Sequence, residues 1–239
     1  MEAPAPATPA LAAAREVIAC ALTPRSRNIL HWLSWVFAVA AVGGMTALLA
    51  DGQVFGWEQA LSRRAQALGM PDWLFRLSAD RFADAYAWQG ALITLAIIFG
   101  LWLFRQRAAA VVLLLVFPLH GLANFPKVLI DRDRPSELFD GIFGVGGAMS
   151  FASGHSEFVV TFYGFLVYLA LRRLGGQAQR TALVLGWLFF VGLVGFGRVA
   201  HGNHWTLDVL VGYTAGVGLL SGLIWLHTAL SRVGERRAV

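Results

Sequence analysis

The chain has 239 residues, 57% of them hydrophobic and 14% charged, and a mean hydropathy of +0.62, whereas an ordinary soluble domain is about 45–50% apolar. These values exclude a soluble globular enzyme, and the length leaves no room for a second sizeable domain beside a bundle of several spans. The formal charge of +5 does not mark a nucleic-acid binder, because the basic residues are scattered rather than gathered on one face, and the single cysteine, Cys20, excludes an intramolecular disulfide.

Taken in chain order, residues 1–28 are expected to be cytoplasmic. The Ala/Pro-rich stretch 1–10 reads as a tail and 11–22 as a short helix lying on the membrane. Arg15 and Glu16 inside that second run argue against a cleaved signal peptide. Residues 29–228 hold six runs close to the ~20 apolar residues that cross a bilayer: 29–50, 86–104, 108–130, 156–171, 181–196 and 207–226. Pro118 and His120 interrupt the third, which is tolerated where neighbouring helices satisfy the freed backbone. Between the first two spans, Trp57, Leu61, Ala65 and Leu68 recur at helical spacing beside Arg63 and Arg64, which predicts an interfacial helix, with a lipid gate as the sharper alternative. Residues 229–239 form a second cytoplasmic tail. The fold class is therefore all-α, a polytopic membrane helix bundle.

Arg15, Arg25, Arg27, Arg105, Arg107, Arg172, Arg173, Arg180, Arg232, Arg236 and Arg237, eleven of the nineteen Lys/Arg, fall on one side of these spans. The positive-inside bias predicts that both termini are cytoplasmic.

Three short stretches at the opposite ends of the spans carry chemistry. Lys127 and Arg134 are seven residues apart, two helical turns, so both cations share a face if the third span continues that far, and Pro135 then favours ending the helix. Asp131 and Asp133 lie off that face and are expected to pair locally with Arg132 or to stay solvated. Ser153, Gly154 and His155 come immediately before the fourth span, where unpaired backbone N–H groups and the helix dipole form an anion site beside the histidine. Arg198, His204 and Asp208 close the set. A helix starting near Trp205 would let the Asp208 carboxylate hold one imidazole nitrogen of His204 while the other faces a substrate. His201 is expected to be a loop or supporting residue, and His31, His120 and His227 packing or interface residues. The glycines at 141, 144, 146 and 147 form no phosphate-cradling GxxxxGK[ST] pattern.

The three stretches resemble the type 2 phosphatidic acid phosphatase superfamily, in its integral membrane lipid phosphatase branch. The family signature is Lys-x6-Arg-Pro, then Pro-Ser-Gly-His, then Ser-Arg-x5-His-x3-Asp. Lys127 to Arg134-Pro135, Ser153-Gly154-His155, and Arg198, His204 and Asp208 match it with every spacing kept. Ala152 replaces the proline of the second stretch, which would loosen the helix start. Gly197 replaces the serine of the third, which removes a hydroxyl that could orient phosphate.

The resemblance implies that His204 attacks phosphorus and Asp208 fixes its tautomer, while His155 protonates the leaving group. Lys127, Arg134, Arg198, the Ser153 hydroxyl and the Gly154 N–H would stabilise the equatorial oxygens. No metal and no cofactor are expected, since protein cations neutralise the charge. The expected partners are the bilayer and a lipid phosphate or diphosphate, hydrolysed through a phosphohistidine at the outer face, with no nucleic acid involved. A phosphotransferase using the same site, a non-catalytic lipid-binding relative and a transporter are the alternatives. The compact chain and the lack of an Asn-x-Ser/Thr site favour a bacterial inner membrane, with the site on the periplasmic or extracellular side.

Overall fold

The computed structural model describes residues 24–77, 88–130, 132–135 and 149–237. The expected tail and short helix of 1–22, the start of the second span, Asp131 and the glycines of 141–147 lie outside the described residues. All regular structure among the described residues is helical. The elements are α1 (Pro24–Leu48), α2 (Gly56–Leu68), the short α3 (Asp72–Phe75), α4 (Trp88–Leu103), α5 (Arg107–Leu114), α6 (Val116–Ala123), the short α7 (Pro126–Leu129), α8 (Gly154–Phe158), a π-helical turn at Val159–Tyr163, α9 (Gly164–Leu171), α10 (Gln177–Ala200) and α11 (Thr206–Arg237).

Among the described residues, five segments are long and apolar enough to cross a membrane: Asn28–Leu48, Arg107–Leu129, Gly154–Leu171, Gln177–Ala200 and Thr206–Val233. The second expected span, 86–104, coincides with the shorter apolar helix α4. The chain is an integral membrane protein, and its surface is that of one. Trp32, Leu33, Phe37, Phe99 and Phe189 are exposed on the outer faces of their helices, where lipid rather than water is their solvent.

Two boundaries differ from expectation for local reasons. The Arg107–Leu129 span is broken into α5, α6 and α7, because Pro118 has no amide to return to the preceding turn and the Leu115 amide tightens onto Val112 O at 3.1 Å. The last helix continues past residue 226 to Arg237: no glycine or proline interrupts Ile224–Val233, and Gly234 does not end it.

Helices pack tightly where glycines let backbones meet. A Cβ at Gly212 would collide with Ser153 O, and one at Gly216 would lie 2.8 Å from Glu157 O. This Gly-x-x-x-Gly stripe on α11 therefore seats α8 directly against it, as small residues do between membrane helices. An apolar cluster of Val112, Leu113, Val116, Phe158, Phe162, Phe165 and Leu223 fills the centre of the bundle. A second cluster, Leu49, Ile130, Phe151, Ala152 and Val211, lies beneath the ends that carry the three stretches.

Candidate active site

A glycine turn sets the Arg198–His204 spacing. Helix α10 ends at Ala200, and Gly202 takes φ +67°, a left-handed conformation that glycine adopts without penalty. The reversal brings the Asn203 and His204 amides back onto the Arg198 carbonyl, at 3.0 and 3.1 Å. The five intervening residues thus place the Arg198 side chain and the His204 imidazole on one wall, both buried.

The His204 Nδ1 donates to the Ser150 carbonyl at 2.7 Å. A carbonyl only accepts, so Nδ1 carries the hydrogen and Nε2 keeps its lone pair. This corrects the expected Asp208 contact, since the carboxylate Oδ2 lies 3.8 Å from Nδ1, beyond hydrogen-bond distance. Asp208 acts through Ser150 instead: its Oδ2 accepts from Ser150 Oγ at 2.5 Å and from the Trp205 amide at 2.9 Å. The carboxylate caps the start of α11 while it holds the residue that orients His204. Burial pushes the imidazole of His204 down to about 3, against the opposing pull of Asp208, so it is neutral at pH 7.

Asp208 is held on its other oxygen by Arg132, a residue that sequence reasoning missed. The Arg132 guanidinium is wholly buried; it ion-pairs with Asp208 and donates to Glu58 Oε2 at 2.6 Å and to Gln53 O at 3.1 Å. Of the two outcomes expected for the neighbouring aspartates, pairing with Arg132 or solvation, Asp133 takes the second, since it is exposed, and Asp131 lies outside the described residues. Asp133 offers its backbone carbonyl to Trp205 Nε1 at 2.8 Å. Glu58 Oε1 also accepts from the Leu207 amide at 3.0 Å, and Ser62 Oγ accepts from the Thr206 amide at 3.3 Å. The exposed N–H groups that begin α11 are thus capped by side chains from α2. Helix α2 has an inverted amphipathic face: Trp57, Leu61 and Leu68 are exposed while Glu58 and Ser62 are fully buried. The apolar spacing that marks an interfacial helix is real, and its polar side is locked to the site.

Arg134 reaches the site, although not by sharing a helix face with Lys127. Helix α7 ends at Leu129, Ile130 is extended, and residues 132–134 are non-helical. Arg134 Nη1 donates to Asn203 O at 3.3 Å, and burial lowers its pKa, opposed by Asp208. Lys127 lies within electrostatic reach of Arg134, Arg198 and Asp208.

Ser153 caps α8, its amide donating to Asp208 O at 3.0 Å. A Cβ at Gly154 would meet Asn124 Oδ1 at 2.5 Å, so α8 starts close against the Asn124 side chain. His155, half-buried, lies within electrostatic reach of Arg198, His204 and Lys127. Ala152, which precedes this start, is buried in the apolar cluster, and Ser150 N donates to Arg132 O at 3.0 Å.

His201 stands aside, stacked on Phe75 at 3.9 Å. His31 bonds to Ser221 Oγ at 2.7 Å, and His227 to Tyr168 Oη at 3.1 Å. His120 does more than pack: it makes a buried hydrogen bond with Glu157, whose other oxygen accepts from Thr161 Oγ1 at 2.6 Å. Among the described residues no group of three or more His, Cys, Asp or Glu gathers as a metal site.

The assembled residues match a known family. The PAP2 superfamily model matches residues 106–232, more than half of the sequence and all three stretches. The chain belongs to the PAP2 superfamily. A solved relative is the first transmembrane PAP2-type phosphatidylglycerolphosphate phosphatase from Bacillus subtilis, with a TM-score of 0.58 and 25% identity over 82% of this chain and 96% of that one. LpxE from Aquifex aeolicus shares the fold, with a TM-score of 0.51 and 23% identity over 71% of this chain and 94% of that one. A PA-phosphatase related-family protein from Dictyostelium discoideum is 36% identical over 76 residues, 30% of this chain and 21% of its own length.

Neutral burial of His204 makes stability depend on pH. The unfolded imidazole titrates near 6.5 and the folded one near 3, so between those values the unfolded state binds a proton that the folded state does not. Stability is fully present above about pH 6.5 and is lost progressively as pH falls toward 3. Thermal unfolding in detergent should show a midpoint that drops from pH 7 to pH 4, and His204→Gln should flatten that dependence. An unchanged slope in the variant would contradict a buried neutral imidazole.

Proposed function

We propose that this PAP2 protein is a lipid phosphatase that hydrolyses a lipid phosphate or diphosphate through a phosphohistidine on His204. The observation that carries the proposal is the Nδ1-bound hydrogen of His204 on the Ser150 carbonyl, which leaves Nε2 as the nucleophilic nitrogen. In the first step Nε2 bonds to phosphorus and the bond to the leaving oxygen breaks, with protonated His155 giving its proton to that oxygen. In the second step a water oxygen attacks phosphorus, the P–N bond breaks, and His155 takes the water's proton, so inorganic phosphate leaves and both histidines are restored. Lys127, Arg134 and Arg198, with the Ser153 hydroxyl and the Gly154 N–H, stabilise the equatorial oxygens, and Asp208, through Ser150, keeps the tautomer of His204.

The likeness to a phosphatidylglycerolphosphate phosphatase at 25% identity supports a phosphorylated lipid as substrate, and the apolar exterior supports a tail that stays in the bilayer. The distribution of arginines supports cytoplasmic termini and a site open to the outer face. A phosphotransferase would use the same histidine and hand the phosphoryl group to an acceptor other than water.

Release of inorganic phosphate from phosphatidylglycerol phosphate, phosphatidic acid and undecaprenyl diphosphate in detergent separates these readings. Activity is expected to survive EDTA and to be inhibited by vanadate, which imitates five-coordinate phosphorus. In sealed right-side-out vesicles an impermeant aryl phosphate should be cleaved without permeabilisation. A requirement for added magnesium or zinc would contradict neutralisation by the three protein cations, cleavage only after permeabilisation would invert the sidedness, and phosphate release only with an added acceptor would favour the transferase.

A further inference from the structure

The end of the bundle remote from His204 carries a second, differently built site. Helices α1, α9 and α11 enclose a cavity of about 540 Å³ lined by Asn28, His31, Tyr168, Arg172, Trp225 and Arg232. Arg172 follows His155 by seventeen residues along one helical run, and Arg232 follows Asp208 by twenty-four along α11, so the cavity lies about 26–36 Å from the candidate active site at 1.5 Å per residue. Neither the three stretches nor the reaction uses any of these side chains.

Its chemistry is that of an anion site. Two arginines line it and, among the described residues, no carboxylate does. Arg172 is held in place: its guanidinium lies over the Tyr168 ring at 5.8 Å and donates to the Tyr168 hydroxyl at 3.0 Å. Tyr168 Oη also meets His227 Nδ1 at 3.1 Å.

A second cavity of about 400 Å³ adjoins the first and shares His31 and Trp225 with it. Its walls are apolar, from Trp32, Trp35, Leu119, Leu219 and Leu226, and it runs between α1 and α11 toward the middle of the span. Trp32 contacts Trp35 and Trp225 with ring centroids 6.1 and 6.2 Å apart, so tryptophans frame the junction of the polar chamber and the apolar groove, at the level where such rings anchor at a membrane interface. A free anion would use only the first chamber and a neutral hydrocarbon only the second. A molecule with a phosphate head and an acyl tail uses both, and basic pockets between membrane helices suit such headgroups.

We propose that this composite cavity binds one anionic phospholipid, its phosphate between Arg172 and Arg232 and one acyl chain in the groove beside Trp32, Trp35 and Gly222. The lipid belongs to the leaflet opposite the candidate active site, so it is a bound component distinct from the substrate.

Native mass spectrometry of the full chain, with phosphatidylglycerol and phosphatidylcholine supplied at equal concentration in mixed micelles, tests this. One phosphatidylglycerol should be retained at least tenfold more tightly than phosphatidylcholine, and vanadate should not displace it. The variant Arg172→Gln/Arg232→Gln should lose that preference, whereas Arg180→Gln, an exposed arginine at the same end, should keep it. Gly222→Phe gives a second test with both arginines intact. A Cβ at Gly222 meets nothing within 4 Å and the residue lines the groove, so a ring placed there enters the groove and should expel the acyl chain. Equal retention of the two lipids, unchanged retention in Arg172→Gln/Arg232→Gln or in Gly222→Phe, or displacement by vanadate would each overturn the proposal.

Discussion

His204→Ala is expected to lower kcat on a lipid phosphate by on the order of 10⁴-fold or more, the scale seen when a covalent nucleophile is removed. The protein should remain folded, because the imidazole sits in a polar site and not in either apolar cluster. Losing its hydrogen bond leaves the buried Ser150 carbonyl short of one donor, which costs about 1–3 kcal/mol and should show as a modest fall in the thermal midpoint. His155→Ala offers a contrast within the same site. Its loss should be smaller on a nitrophenyl phosphate, whose leaving group needs no proton, than on a lipid phosphate. Turnover near wild type in well-folded His204→Ala would remove the nucleophile from the mechanism, and equal losses of His155→Ala on both substrates would remove the general acid.

Arg132→Met is expected to be the most destabilising substitution outside the reacting groups. The guanidinium is fully buried between the carboxylates of Glu58 and Asp208, and removing one partner of a buried pair costs about 3–5 kcal/mol because the other charge stays behind uncompensated. Here two carboxylates are left, and one of them also caps α11 and holds Ser150. Activity should fall together with stability. The double variant Glu58→Gln/Arg132→Met should recover part of the stability, through a coupling energy on the order of 0.5–3 kcal/mol, but little of the activity, since Asp208 remains unpaired. Denaturant titrations of both single variants and the double variant measure the coupling, and strict additivity would mean that the Glu58–Arg132 contact does not support the site.

Parts of this site were legible in the sequence for reasons that the structure explains. The Arg198–His204 interval is local geometry: a helix end, a glycine at positive φ and two amides returned to one carbonyl. Gly154 was legible because it stands at the start of an apolar span, where backbone N–H groups lack partners. Lys127 and Arg134 were found by spacing, but the two-turn helical argument fails, since the helix ends at Leu129 and the extended strand of chain after it delivers the second cation. Arg132, Glu58 and Ser150 were not legible. Each has a partner 58–76 residues away or more in the chain, and nothing in local periodicity distinguishes a buried acid on α2 from the solvated acids of the same loop. The periodicity of Trp57, Leu61 and Leu68 did reveal a helix, but its apolar face turns outward and its functional contacts lie on the side that hydropathy ignores. The spans were legible because apolar length is what a bilayer requires. The fourth span begins at Gly154, two residues before the expected start at 156, because His155 and Glu157 lower the hydropathy of its first turn.

The most direct test is to trap the covalent intermediate. The protein is mixed with a ³²P-labelled lipid phosphate, quenched in denaturant at alkaline pH within the first turnover, digested and sequenced by mass spectrometry. The phosphohistidine account predicts a base-stable, acid-labile phosphoryl group on the peptide containing His204, absent from His204→Ala and longer-lived in His155→Ala when the leaving group needs no proton, because the water attack then lacks its base. A hydrolytically active enzyme that yields no phosphopeptide under these conditions, or one labelled at a residue other than His204, would contradict it.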